Sequence, residues 1–185
     1  METLQHLDEQ ILLWINGHYS LVFDQVMIFA SGKLTWLPLY LLLLYLIIKK
    51  YRYFSIAILL AVATTIALTD QLSVHLFKEV FLRLRPCHNP ELQELIRSIK
   101  GCGGQYGFVS SHAANSVGLV TFLIFTYKPM PKWLTAILIF YTLLVMYSRA
   151  YLGVHYPFDL LGGALLGILC GLFTGWLLKK IAHWF

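Results

Sequence analysis

"FDLLGGALLGILCGLFTGWLL", residues 158–178, carries one charged residue, Asp159, near its start. A helix that crosses a bilayer needs about 20 apolar residues, within a range of roughly 17–25. This run meets that length. Four more apolar runs precede it, over residues 26–48, 54–77, 111–127 and 133–148. The third and fourth are slightly short, so their flanking polar residues dip into the interface. Composition agrees: 58% of the 185 residues are hydrophobic and 12% charged. Soluble domains are about one-quarter charged. Mean hydropathy is +0.69. The expected fold is all-α: an integral membrane helical bundle with five transmembrane helices, forming one domain over residues 1–185. A sixth span through residues 8–30 would have to bury Asn16, Gly17, His18 and Asp24.

Residues 3–15 place Leu4, Leu7, Ile11, Leu12 and Ile15 on one helical face, with Glu2, Asp8, Glu9 and Gln10 elsewhere. That pattern predicts an amphipathic helix lying in the interface, closed by the turn residues "NGHYS" at 16–20. A cleaved signal peptide is not expected. The start holds Glu2, Asp8 and Glu9, and no Lys or Arg precedes Lys33. The net charge of +5 is scattered, with no basic stripe interleaved with aromatics, so no nucleic-acid partner is expected. No obligate protein partner is inferred either. Cys170 lies in an apolar run and reads as a core residue. Cys87 and Cys102 flank one polar loop and can pair if that loop faces an oxidising compartment.

Five spans sort the loop cations onto two sides. Lys49, Lys50, Arg52, Lys128, Lys132, Lys179 and Lys180 fall on one side. Lys33, Lys78, Arg83, Arg85, Arg97, Lys100 and Arg149 fall on the other. The count is balanced, but part of the second set is committed to a ligand, as follows. The first side is therefore assigned to the cytoplasm, and residues 79–110 and 149–157 to the outside. Lys33 is placed to snorkel near one end of the first span.

Three polar clusters meet on that outer side. In "KEVFLRLRP", residues 78–86, Lys78 and Arg85 are seven apart, two turns of a helix that Pro86 then breaks. Two cations on one face suit a phosphate, although snorkelling cations at a span end would look alike. In "FVSSHAANS", residues 108–116, Ser110 is placed to cap a helix. The N–H groups of Ser111 and His112 then point out of an anion-binding end. In "SRAYLGVHYPFD", residues 148–159, Arg149 ends a span, and His155 and Asp159 stand four apart. A carboxylate there can fix the tautomer of the histidine and stabilise its imidazolium. Charge clamps, a nucleophile and an acid together form an inventory for phosphoryl transfer.

Lys-x6-Arg-Pro, Ser-x-His and Ser-Arg-x5-His-x3-Asp, in this order over residues 78–159, resemble the type 2 phosphatidic acid phosphatase superfamily of membrane lipid phosphatases. Val109 and Ser111 depart from the usual Pro-Ser-Gly-His of the second motif. The resemblance implies His155 as nucleophile, Asp159 as its orienting group and His112 as the acid for the leaving oxygen. It implies phosphate binding by Lys78, Arg85, Ser110, Ser111 and Arg149, and no metal or other cofactor. Nor does the sequence hold an HExxH motif. Implied too are an inner (plasma) membrane location and a site facing the periplasm or exterior. The expected partners are membrane lipids and a lipid phosphate or diphosphate substrate. Undecaprenyl diphosphate leads, with phosphatidylglycerol phosphate and lipid A phosphates as rivals. A non-catalytic scaffold or lipid-binding protein on the same fold is the alternative of another class. A transporter would spread ionisable residues through several spans, whereas here they cluster on one side. Outside the motifs, Asp70 lies within a span and either pairs with another helix or takes part in the site. Arg83 is placed to reach lipid headgroups, and His88 is read as solvated.

Overall fold

Ser31 and Gly32 break the first apolar run. The computed structural model, which describes residues 2–32 and 34–182, resolves that run into two helices. Helix α2 (Leu21–Ala30) ends where the Ser31 N–H donates to the Met27 carbonyl. A 3₁₀ turn over Leu34–Trp36 follows, and α3 (Leu37–Tyr51) starts with a proline, Pro38, in its first turn. Space at the break is tight, because a Cβ at Gly32 would lie 2.6 Å from Thr35 Oγ1 and 3.1 Å from the Phe29 carbonyl oxygen. The single span expected over 26–48 is thus interrupted. Lys33 lies outside the described residues.

At Arg52 the backbone takes a φ of 50° and the chain turns into α4 (Ser55–Gln71). A π-helical stretch, Leu72–Lys78, carries α4 on into the short α5 (Glu79–Phe81). After the loop come α6 (Ser111–Thr126), α7 (Lys132–Tyr151) and α8 (Pro157–Ala182). Among the described residues there is no β-strand, only an isolated antiparallel bridge between Leu84 and Tyr106. Three helical stretches are long and apolar enough to cross a membrane: Leu34–Phe81, which contains the turn at Arg52, Lys132–Tyr151 and Pro157–Ile181. Leu60, Phe140, Leu165 and Leu169 are exposed on the outer faces of the bundle, as a lipid-facing surface requires.

Helices α6 and α8 form the centre. Gly163, Gly167 and Gly171, spaced by four on α8, let the two backbones approach closely. A Cβ at Gly167 would lie 2.5 Å from the Ala114 carbonyl oxygen, and one at Gly171 2.6 Å from that of Gly118. Around this pair, Leu43, Ile47, Ile58, Phe122, Leu138 and Tyr141 pack into one apolar cluster. A second cluster lies under the outer loop, with Leu12, Leu92, Ile96, Ala150 and Leu160.

Helix α1 (Glu2–Gly17) turns a mixed stripe inward. Asp8, Leu12 and Asn16, four apart, are buried, while Leu4 and Leu7 are 61% and 46% exposed. Asn16 donates to the Tyr151 carbonyl at 2.7 Å and accepts from the Arg97 N–H at 2.8 Å. Asp24 on α2 is buried against Arg97 and accepts from the Tyr151 hydroxyl at 2.7 Å. Asn16 and Asp24 are therefore buried as side chains with partners. Gly17 and His18 stay exposed.

Candidate active site

The loop between α5 and α6 is held by three constraints. Leu82, in a left-handed conformation with a φ of 49°, ends the helix, so Lys78 and Arg85 do not share a helical face as their spacing suggests. Arg85 is extended because it precedes Pro86, which disfavours the helical region. Backbone pairing follows, with Arg85 N–H to the Gln105 carbonyl at 3.0 Å and Gly107 N–H to the Arg83 carbonyl at 2.8 Å. Cys87 and Cys102 are disulfide-bonded, with Cα atoms 5.9 Å apart. Arg85 Nη1 donates to the Cys102 carbonyl at 2.9 Å, and Nε to that of Tyr106 at 3.2 Å. Arg85 is buried by this route, and burial lowers its pKa from the usual guanidinium value.

The second motif is joined to the third through the backbone, where Ser110 N–H donates to the Asp159 carbonyl at 2.9 Å. Ser110 occupies the N-cap position of α6, but its hydroxyl makes no capping bond. Ser110 Oγ is instead buried without a hydrogen-bond partner among the described residues. Ser111, where the resembled motif has glycine, accepts from Lys78 Nζ at 2.6 Å and pairs with the Ser73 hydroxyl at 2.7 Å. His112 follows in the first turn of α6.

Between α7 and α8, His155 is fully buried, with Nδ1 3.3 Å from Asp159 Oδ2. Asp159 Oδ2 also accepts the Tyr156 N–H at 3.1 Å. With Nδ1–H turned to the carboxylate, Nε2 carries the lone pair. Nε2 is buried without a partner among the described residues, as is Arg149 Nε. Burial pushes the pKa of His155 well below the usual imidazole value, and the charges of Arg85, Arg149 and Lys78 push the same way. This environment favours the neutral form of the ring. Another Arg149 nitrogen, Nη1, donates to Ser31 Oγ.

Sequence reading missed several neighbours. Arg83 does not reach toward headgroups. Its Nη1 donates to Asp159 Oδ1 at 2.8 Å and its Nη2 to Asp8 Oδ2 at 2.7 Å. The other Asp8 oxygen accepts the Phe158 N–H at 2.9 Å. Asp8 sits in the i, i+4 series Asp8, Leu12, Asn16, and its place one turn before the inward Leu12 could have shown it as an inward residue. His88 Nε2 lies 3.3 Å from the Gly103 carbonyl, and His75 pairs with Glu79 at the surface. No cluster of metal-ligating side chains occurs among the described residues.

A cavity of about 670 Å³ opens beside α6. Ser31, Asp70, Ser111, His112 and Asn115 line its polar end. From there it descends between α3, α4, α6 and α7 along Leu43, Ile47, Val62 and Leu123. Its size is that of a ligand site.

Residues 55–182, more than half the chain, match the family model of the PAP2 superfamily. The chain belongs to the PAP2 superfamily. The matched span contains all three clusters, residues 78–159. Along 99% of this PAP2 chain and 80% of the relative, it is 38% identical to a protein of Bacteroides thetaiotaomicron named lipid A 4′-phosphatase. A Porphyromonas gingivalis protein of the same name is 32% identical over 94% of the chain and 74% of its own length. An undecaprenyl-diphosphatase of Sulfolobus acidocaldarius is 32% identical over 83% of the chain and 69% of its own length. In fold the PAP2 chain is similar to the crystal structure of a PAP2-type phosphatidylglycerolphosphate phosphatase from Bacillus subtilis. The TM-score is 0.74 at 23% identity, covering 100% of this chain and 90% of that one.

Proposed function

We propose that this protein is a metal-independent lipid phosphatase whose substrate is a phosphorylated glycolipid of the lipid A class. The observation that carries a phosphoryl-transfer reading is the convergence of three buried polar atoms without partners, Ser110 Oγ, Arg149 Nε and His155 Nε2, beside Lys78 and Arg85. Buried polar groups are almost always paired, so three such atoms together mark a site built for an anion. The apolar cavity leading away from Ser111 and His112 supports a lipid, because an acyl chain can occupy it while the headgroup reaches the polar end. Two long matches that share one name favour lipid A over undecaprenyl diphosphate, which the family resemblance had put first.

In the proposed reaction, the His155 Nε2 lone pair attacks phosphorus and the P–O bond to the sugar breaks. His112 gives its proton to the leaving oxygen. Water then attacks the phosphohistidine, His112 takes a proton from it, and the P–N bond breaks to release phosphate. Lys78, Arg85, Ser110 and Arg149 hold the phosphate oxygens, with the first-turn backbone of α6, and Asp159 supports the positive imidazole. In this reading Ser111 acts by holding Lys78. Five membrane passes, by α3, α4, α6, α7 and α8, put the site at the outer face of the inner membrane, within one domain over 1–185. The test is phosphate release in detergent with EDTA from lipid A, undecaprenyl diphosphate and phosphatidylglycerol phosphate. Lipid A is expected to show the highest kcat/KM, and His155→Ala is expected to be inactive. Equal release by wild type and His155→Ala would refute the mechanism, and a higher kcat/KM on another lipid would refute the substrate.

A further inference from the structure

We propose that Asp8, on the N-terminal helix, is a positioning residue for the His155–Asp159 pair and acts through Arg83. This rests on His155 being the nucleophile. The four side chains form one line. Asp8 Oδ2 takes Arg83 Nη2 at 2.7 Å, Arg83 Nη1 meets Asp159 Oδ1 at 2.8 Å, and Asp159 Oδ2 faces His155 Nδ1 at 3.3 Å. Asp8, Asp159 and His155 are each at 0% exposure. Arg83 also stacks on the Tyr156 ring, 4.0 Å from its centroid, and the Tyr156 hydroxyl accepts from Asn89. The guanidinium is thereby fixed on three sides.

Two features take this beyond a structural ion pair. The first is orientation. The His155–Asp159 contact is the longest link in the line, so it cannot by itself fix the carboxylate. Arg83 holds one Asp159 oxygen, and the Tyr156 N–H holds the other against His155. Asp8 in turn holds Arg83 in place. The second is charge. Arg83 alone would neutralise Asp159 and leave no net negative charge to balance an imidazole that becomes positive on phosphorylation. Lys78, Arg85 and Arg149 already surround that ring with positive charge. Asp8 shares the guanidinium, and although burial raises the Asp8 pKa, the Arg83 and Phe158 N–H bonds oppose that rise; with both carboxylates ionised, Asp8, Arg83 and Asp159 together carry one negative charge beside the histidine. In a poorly solvated site that charge acts strongly.

Asp8→Asn tests this, because Asn retains an acceptor for the Phe158 N–H while removing the charge. The variant is purified in detergent, and kcat, KM, melting temperature and affinity for inorganic phosphate are measured. Asp8 touches no phosphate ligand, so phosphate affinity and KM are expected to stay within about two-fold. The expected fall in kcat is about ten- to a hundred-fold, taken by analogy with the loss when the hydrogen-bond partner of a metal-binding histidine is removed. Arg83→Met and the double variant complete a cycle. If Asp8 acts through Arg83, the double variant loses no more than Arg83→Met alone. Where Asp8→Asn is not recovered folded, the double variant, which removes both charges, gives the same kcat and phosphate-affinity readouts. Wild-type kcat in Asp8→Asn, losses that multiply in the double variant, or a parallel loss of affinity for inorganic phosphate would each overturn the proposal. His155→Ala is run alongside. If it is inactive while Asp8→Asn turns over normally, only the positioning role fails. If it is active, the nucleophile assignment fails as well.

Discussion

Adding one methyl group at Gly167 tests whether the α6–α8 contact sets the catalytic geometry. An alanine Cβ there would lie 2.5 Å from the Ala114 carbonyl oxygen and 2.8 Å from the Gly118 nitrogen. Ordinary contact starts at 3.4 Å, so α6 must move off by about 0.9 Å. Both obstacles are backbone atoms inside a helix, so no side chain can turn aside to make room. Over-packing of this kind costs about 1–3 kcal/mol. Replacing glycine with alanine in a helix returns about 1 kcal/mol. The net loss of roughly 0–2 kcal/mol lowers Tm by at most about 8 °C, at roughly 2–4 °C per kcal/mol for a chain of this size. Activity should suffer far more. α6 carries Ser110, Ser111 and His112 at its end, and Ser110 is bonded to the backbone of Asp159 on α8. A misplacement near 1 Å can cost about a hundred-fold in rate. The assay is phosphate release from the lipid substrate in detergent, with Tm followed on the same samples. Gly104→Ala is the control, since a Cβ there meets nothing within 4 Å. Gly167→Ala with kcat within two-fold of wild type would show that the close contact serves stability alone.

Three further outcomes are expected. Ser111→Gly restores the residue of the resembled motif but removes the acceptor for Lys78 and the link to Ser73. Substrate KM should rise about five-fold, the equivalent of one hydrogen bond worth about 1 kcal/mol, and a lower KM would mean that Ser111 obstructs the phosphate. Replacing Cys87 and Cys102 with serine opens a 15-residue loop, worth up to about 3 kcal/mol. It also loosens the Cys102 carbonyl that braces Arg85, so Tm and affinity for inorganic phosphate should fall together. For His155, the folded-state pKa lies below the ordinary value of 6.5, held down first by burial and then by the three cations. As pH falls through 6.5 the unfolded chain takes up the proton first, so the stability from this residue is full above 6.5 and fades below it. A pH series of Tm should show that acid-side loss, and His155→Gln should flatten it.

The outline of the site could be read in the sequence because its parts are chemically specific and close to the span ends. Lys78, Ser110, His112, Arg149, His155 and Asp159 each fall inside a motif. The structure gathers these segments at one end of the bundle, joined by the bonds of Ser111 and of the Ser110 backbone. The cavity could not be read, since it depends on how α3 and α4 splay from α6. Arg83 was misassigned because a cation at a membrane edge usually snorkels, and only its partner at position 8 changes that. The break at Ser31–Gly32 was passed over because hydropathy averages across a short interruption. The glycines at 163, 167 and 171 were visible at i, i+4 spacing, but spacing alone does not say which helix they admit.

The link between Asp8 and Phe158 spans 150 residues. During synthesis the first helix therefore emerges long before its partners exist. A carboxylate without a partner is costly to remove from water, so the buried position of Asp8 depends on partners far along the chain. Arg83 and then the first turn of α8 complete the pocket that Asp8 enters. The first and the last helix are in this sense interdependent: without the first turn of α8 neither Asp8 nor His155 has its partner.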